Sequence, residues 1–108
     1  MIINIDYTIQ DSLDLDIDKL ANVVVTNEFT KQQMKHEFKE SNIVNNKNIE
    51  EVMEILLDLF YSNCTYYLHC AGLPETVGED DYDFQIIEEY EDEIKEAFKN
   101  KVKEYGIY

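Results

Sequence analysis

Apolar and polar side chains alternate in the N-terminal segment. Its apolar positions, separated by single polar residues, are Ile3, Ile5, Tyr7 and Ile9. A period of two is typical of a β-strand with one buried face, so a strand is predicted here. In residues 11–26 the alternation continues, but apolar residues also recur at steps of three and four, which is helical spacing. The sequence leaves this second segment open between a strand and a short helix.

Helix signals follow. Thr30 and Gln33 form a capping box, and Phe29 and Met34 are spaced as its hydrophobic staple. Together they predict a helix that begins after Thr30 and ends near Ser41.

The longest apolar pattern covers residues 48–71. Asn48 is the predicted N-cap, and Gly72 and Pro74 are typical of a helix end. Apolar residues on several faces indicate that this helix is central and covered on more than one side. The pattern allows a break near Ser62.

A last helix is predicted from about Asp83, with Gly106 just beyond its end. Its apolar stripe comprises Phe84, Ile87, Tyr90, Ile94, Phe98, Val102 and Tyr105. These elements predict a mainly α (α+β) fold, with three or four helices and a small N-terminal β element. The 108 residues fit one compact domain, residues 1–108, because domains usually have about 100 to 200 residues and no linker-like stretch divides the chain.

Acidic residues far outnumber basic ones. The chain has 24 Asp and Glu against 9 Lys and no Arg, which gives a net charge of -15. Such a chain repels nucleic acid and anionic membranes, so neither is expected as a direct partner. The apolar segments are interrupted by charged residues, and no export signal is evident, so a cytoplasmic protein is expected.

Much of this charge lies in residues 75–96, which hold eleven acidic residues and one lysine. Acidic residues at a helix start complement the helix dipole, and Glu91 with Lys95 is a favourable i,i+4 pair. Neither effect accounts for Glu88, Asp92 and Glu96, because like charges four residues apart destabilise a helix. The excess favours a binding role, with an ordinary solvated helix face as the alternative.

On one continuous helix, residues 80–96 would carry about one net negative charge per 3.2 Å. A DNA strand carries about one phosphate per 3.4 Å. A face of this kind is expected to compete with nucleic acid for a basic surface, with Tyr82 as an aromatic anchor. The predicted partner-binding residues are Glu79, Asp80, Asp81, Tyr82, Asp83, Glu88, Glu89, Asp92 and Glu96. A second candidate acidic zone comprises Asp11, Asp14, Asp16 and Asp18.

No motif for catalysis or metal binding is complete. Cys64, His69 and Cys70 lack the spacing of a zinc site, and the calcium-loop-like start at Asp14 lacks the later ligands. We expect no metal, no cofactor and no catalytic residue, and hence a protein that is not an enzyme. The two cysteines are expected to be buried free thiols. Core packing is expected for Tyr66, Tyr67 and Tyr105.

A small, acidic, Arg-free and tyrosine-rich chain resembles the inhibitors encoded by phages and mobile genetic elements. Among these it most resembles the anti-CRISPR proteins directed at type II RNA-guided nucleases. The resemblance extends over the whole chain and rests on size, charge and residue usage. It implies a DNA mimic that acts by protein–protein interaction, in which the predicted acidic residues pair with the Lys and Arg groups that hold DNA or guide RNA.

Two other functions stay open at this point. One is an immunity protein or antitoxin that neutralises a basic nuclease toxin. The other is a structural or adaptor protein of a phage particle. The sequence also leaves the oligomeric state open.

Overall fold

The computed structural model describes residues 1–6, 12–30, 49–74, 78, 80, 82 and 84–104. These ranges contain two strands, β1 (Ile2–Asp6) and β2 (Ser12–Asp16). They also contain five helices: α1 (Ile17–Thr30), α2 (Ile49–Ser62), α3 (Cys64–Cys70), α4 (Phe84–Glu89) and α5 (Glu91–Glu104). The predicted mainly α (α+β) class with a small N-terminal β element is confirmed. None of these helices is both long and apolar enough to cross a bilayer.

The two strands form an antiparallel sheet with one face on the core. Ile3 lies opposite Leu15, and Ile5 lies opposite Leu13. Ile3, Ile5 and Leu15 are buried, as the period-two pattern predicts. On the other face the Asn4 side chain donates a hydrogen bond to Asp14 Oδ1 at 3.1 Å.

Residues 11–26 contain both of the alternatives that the sequence left open. Asp16 ends β2 and caps α1, because its Oδ1 accepts hydrogen bonds from the backbone N–H groups of Asp18 (3.0 Å) and Lys19 (3.3 Å). An acidic oxygen at this position satisfies N–H groups that have no partner within the helix. The chain therefore changes from strand to helix at a single residue.

The end of α1 corrects one prediction. Thr30, expected as the cap before the next helix, is the last residue of α1. The apolar spacing of α1 keeps Leu20, Val24 and Val25 buried, and this helix extends as far as Thr30. Gln33, Met34 and the predicted helix up to Ser41 lie outside the described residues, as does the N-cap predicted at residue 48.

Helix α2 is covered on more than one side, as predicted, although α1 packs against more of the other elements. Helix α2 packs against α1, α3 and α5, and its buried side chains are Ile49, Val52, Met53, Leu56, Leu57 and Phe60. The break allowed near Ser62 is present, since Asn63 separates α2 from α3. Beyond α3, Gly72 has φ +111° and its N–H bonds to His69 O at 3.0 Å, which confirms the predicted stop.

The single C-terminal helix predicted from the apolar stripe is wrong. The chain forms α4 and α5 with a turn at Tyr90, whose N–H donates to Ile87 O at 3.1 Å. This hydrogen bond joins residues three positions apart and so forms a tighter turn than the four-residue spacing of an α-helix. The α-helical spacing resumes in α5, where Ile94 N–H donates to Tyr90 O at 2.9 Å. Ile87 and Ile94, on either side of the turn, are both fully buried.

Candidate partner-binding surface

The C-terminal end of α2 lies beside the N-terminal end of α5. The Tyr61 hydroxyl donates to Glu91 Oε1 at 2.9 Å, and Lys95 Nζ lies 2.8 Å from Glu54 Oε1. Glu54 precedes Tyr61 along α2, whereas Lys95 follows Glu91 along α5, so the two helices run antiparallel. The part of α2 that carries Asp58 therefore lies beside the part of α5 that carries Glu91 and Asp92.

A layer of aromatic side chains supports this end. The ring of Tyr61 meets the ring of Phe84 edge-on, with centroids 5.1 Å apart. Tyr82 is half-buried, and its hydroxyl lies 2.9 Å from Thr65 Oγ1. These contacts hold Tyr82 against α3, and they hold Phe84, the first residue of α4, against α2.

Exposed acidic residues lie near Tyr61. We define the acidic end as Glu88 and Glu91, whose charges act on Tyr61, their sequence neighbours Glu89 and Asp92, and Asp58, which precedes Tyr61 by one turn on α2. All five are exposed except Glu91, which is half-buried where it accepts the Tyr61 hydroxyl. The five come from α2, α4 and α5, so only the folded chain brings them together.

The charge of the acidic end acts on Tyr61. Burial raises the pKa of the Tyr61 phenol, and the hydrogen bond to Glu91 and the negative charges of Glu91 and Glu88 raise this pKa further. A negative neighbour disfavours the phenolate. The same negative potential attracts cationic groups of another molecule.

The structure describes six of the nine predicted partner-binding residues. Five of the six are exposed: Asp80, Glu88, Glu89, Asp92 and Glu96. Tyr82, the predicted anchor, is half-buried against Thr65. The other three, Glu79, Asp81 and Asp83, lie outside the described residues.

The continuous row of charge expected for residues 80–96 is wrong. Glu88 belongs to α4, whereas Asp92 and Glu96 belong to α5, and the turn at Tyr90 separates the two helices. The spacing of about one charge per 3.2 Å assumed one straight helix. The acidic residues form a cluster across several elements instead of a line along one helix.

Sequence reasoning missed the acidic residues of α2. Glu50, Glu54 and Asp58 recur every four residues and are exposed, and the contact of Glu54 with Lys95 shows that this side of α2 faces α5. The regular spacing was visible in the sequence. The neighbouring helix was not, because it lies some forty residues further along the chain.

Lys95 has a different partner from the one that its spacing predicts. The i,i+4 rule pairs it with Glu91, but its ammonium contacts Glu54 of α2, and this hydrogen bond raises the pKa of Lys95. Glu91 accepts the Tyr61 hydroxyl instead. The one lysine of the acidic stretch thus links two helices.

In the second candidate zone, the described acids take part in local structure. Asp14 accepts a hydrogen bond from Asn4, Asp16 caps α1, and Asp18 Oδ2 lies 2.7 Å from the N-terminal ammonium group. Asp14 and Asp18 remain exposed. Asp11 lies outside the described residues.

The core prediction for the tyrosines is right for Tyr67 and wrong for Tyr66. Tyr67 is fully buried, whereas Tyr66 is 56 % exposed. Consecutive helix residues point about 100° apart, so only one of the two can face the core. Tyr105 lies outside the described residues.

A buried polar cluster joins α1 to α3. The Tyr67 hydroxyl donates to the carboxylate of Glu28, which is only 2 % exposed, and it accepts a hydrogen bond from Asn27 Nδ2 at 2.7 Å. Above this cluster an open groove of about 310 Å³ is lined by Tyr66, Cys70 and neighbouring residues of α1. The cluster satisfies a buried carboxylate that would otherwise be costly.

The two cysteines differ in exposure. Cys64 is buried, as predicted, whereas Cys70 is exposed, so the prediction is wrong for Cys70.

Within the described ranges no three His, Cys, Asp or Glu side chains are grouped so that they could hold a metal ion. In comparisons with protein-family models, curated proteins and solved structures, the chain matches none of them.

Proposed function

We propose that this protein is a non-enzymatic inhibitor that occupies a basic, nucleic-acid-binding surface of another protein through its acidic end. One observation carries the proposal. The Tyr61–Glu91 and Glu54–Lys95 contacts hold α2 and α5 together, and exposed carboxylates from separate parts of the chain thereby stand in one place.

The rigidity of this arrangement supports a binding role. Carboxylates carried by packed helices lose less conformational freedom on binding than carboxylates of a free chain. Each can accept charge-assisted hydrogen bonds from Lys or Arg. A surface that binds nucleic acid presents these groups, because it neutralises phosphates with them.

The net charge of the whole chain supports the same kind of partner. At -15 the chain repels anionic surfaces and is attracted to basic ones. Complementary charge mainly raises the rate of encounter and suppresses wrong partners. The proposed inhibitor therefore acts by occupying the site before nucleic acid does.

The first partner to test is a type II CRISPR effector nuclease. Such nucleases hold the guide–target duplex in a positively charged channel and read a short flanking motif through Arg side chains. The resemblance of this chain to anti-CRISPR proteins in size, charge and residue usage favours this class. The proposed mechanism is steric and electrostatic occlusion of the DNA or guide-RNA site in the cytoplasm of the host.

The test is target-DNA cleavage by a panel of purified type II RNA-guided nucleases. The protein is added before guide loading, after guide loading or after target binding, and polyglutamate of similar net charge serves as the control for nonspecific charge. We expect inhibition by the protein at concentrations where polyglutamate has no effect. If the protein inhibits only when it is added before guide loading, it occupies the guide-RNA site. If it also inhibits when it is added after guide loading, it occupies the target-DNA site.

Two outcomes would contradict the proposal for this class of partner. Equal inhibition by polyglutamate would show that charge alone acts, without a defined surface. No inhibition of any nuclease in a diverse panel would exclude these nucleases and direct the same assay to basic nuclease toxins.

A further inference from the structure

The outer edge of β2 is the edge that faces away from β1. In the described ranges the sheet consists of β1 and β2 alone, so no described strand pairs with this edge. One position beyond the strands, Met1 lies opposite Ile17, and Ile17 N–H donates to Met1 O at 2.8 Å, so this is a hydrogen-bonded pair. Hydrogen-bonded and non-hydrogen-bonded pairs alternate in an antiparallel ladder. Asp14, which pairs with Asn4, therefore directs its N–H and C=O away from β1.

The side chains along this edge define two chemically different faces. On the solvent face, Asp14 is exposed and Asp16 is half-exposed. On the core face, Leu15 is fully buried, but Leu13 is only partly buried. A strand laid along β2 would place alternate side chains next to the two carboxylates and the intervening ones next to Leu13.

We propose that the edge of β2 binds an extended segment of a partner protein in which Lys or Arg alternates with aliphatic residues. The segment adds a strand to the sheet, so main-chain hydrogen bonds to Asp14 supply affinity. Asp14 and Asp16 select the basic side chains, and Leu13 receives an aliphatic one. This edge and the acidic end share no residue, so variants can address them one at a time.

Charge argues against a second copy of this chain as the occupant. Two β2 strands pairing edge to edge would bring the carboxylates of Asp14 and Asp16 from both copies together, and like charges on paired strands are destabilising. Charged side chains on edge strands commonly prevent such self-association. A basic segment meets no such repulsion.

The test uses the full chain and a capped synthetic peptide, Lys-Val-Lys-Val-Lys-Val-Lys, followed by NMR of the backbone amides. We expect saturable shifts at Ser12, Asp14 and Asp16, and slower hydrogen exchange of the Asp14 amide. Two further peptides are N-methylated, one at every Val and one at every Lys. In an extended peptide the N–H groups of alternate residues point to the same edge, so one of the two N-methylation patterns blocks the hydrogen bonds to β2. At least one of the two N-methylated peptides should therefore bind about tenfold more weakly than the parent peptide.

Protein variants separate this edge from the acidic end. Asp14→Asn with Asp16→Asn removes two charges but keeps the cap of α1, since Asn is also a good N-cap, and should weaken peptide binding about fivefold. Glu88→Gln with Asp92→Gln reports any binding of the peptide at the acidic end. The matched control, Glu50→Gln with Glu51→Gln, removes two exposed charges of α2 that belong to neither surface and should leave peptide binding unchanged.

Three results would overturn the proposal. In the first, both N-methylated peptides bind as tightly as the parent, which would mean that charge attraction suffices. In the second, the Glu88 and Asp92 variant weakens binding and the Asp14 and Asp16 variant does not. In the third, the protein alone dimerises in sedimentation and protects its Asp14 amide, which would make a second copy the occupant.

Discussion

The Tyr61 hydroxyl donates to Glu91 Oε1 at 2.9 Å and so joins the last turn of α2 to the first turn of α5. The two residues are 30 positions apart in the sequence. Their contact defines how the acidic residues of the two helices are placed relative to each other. The proposed binding surface depends on this placement.

Removing the Tyr61 hydroxyl should weaken the link between the helices. For Tyr61→Phe we expect a loss of about 1 kcal/mol in the free energy of unfolding, the usual value of one hydrogen bond, because the ring contact with Phe84 is retained. Urea denaturation measures the change. A double-mutant cycle with Glu91→Ala should show coupling of at least about 0.5 kcal/mol, and additive effects would contradict the assigned contact.

Removing the Tyr67 hydroxyl should cost more. Tyr67→Phe takes a donor away from Glu28, which is 2 % exposed. The loss of this donor by a buried carboxylate costs about 1 to 3 kcal/mol. Glu91 is half-buried, so in Tyr61→Phe it can accept a hydrogen bond from water instead. Urea denaturation of Tyr67→Phe and Tyr61→Phe side by side tests this order, and a smaller loss for Tyr67→Phe would contradict it.

Alkaline pH should destabilise the protein through the same two tyrosines. Burial, followed by the hydrogen bonds to Glu91 and Glu28, raises the pKa of Tyr61 and the pKa of Tyr67. A raised pKa in the folded state adds stability that is fully present below the unfolded-state pKa, about 10, and is lost as the pH rises further. We expect the free energy of unfolding to fall above about pH 10, and to fall less steeply in Tyr61→Phe and Tyr67→Phe. Identical slopes in all three proteins would contradict the assignment.

Gly72 should not accept a side chain. Its φ of +111° lies in the region that favours glycine. Among the described residues, an added Cβ would meet only Lys19 Nζ, at 3.5 Å, which is an ordinary van der Waals distance. The cost of Gly72→Ala is therefore backbone strain, about 1 kcal/mol or more. Thermal unfolding measures the loss, and an unchanged or raised melting temperature would contradict the account of how the segment after α3 turns.

Local patterns predicted much of the fold. The alternation around Ile3 and Ile5 indicated β1, and Gly72 marked the end of α3. The break at Tyr90 was not predicted, because the apolar residues on both sides keep helical spacing across it. A single turn with a hydrogen bond between residues three apart leaves the spacing of apolar residues almost unchanged, so periodicity alone does not reveal the break between α4 and α5.

The candidate site was predictable only in part. The density of acids near Glu88 and Asp92 is a property of the sequence, and both are exposed as expected. The contribution of Asp58 depends on the antiparallel packing of α2 on α5, which no local pattern encodes. The burial of Tyr67 rather than Tyr66 likewise depends on which side of α3 meets the core.

The central claim is that the acidic end, and not net charge alone, binds the basic partner. Two variants of equal net charge separate these possibilities. Glu88→Lys with Asp92→Lys changes the acidic end. Glu50→Lys with Glu104→Lys changes the start of α2 and the end of α5, which lie at the opposite end of the antiparallel pair. Equal helical circular dichroism verifies that both variants are folded.

The most direct measurement is the concentration of each variant that half-inhibits cleavage by the nuclease that the wild-type protein inhibits. We predict that Glu88→Lys with Asp92→Lys raises this concentration at least about tenfold, because like charges then face the basic surface. Glu50→Lys with Glu104→Lys should stay within about twofold of the wild-type protein, as screened charges away from the interface contribute little. Equal loss in both variants, or greater loss in the second, would contradict the claim.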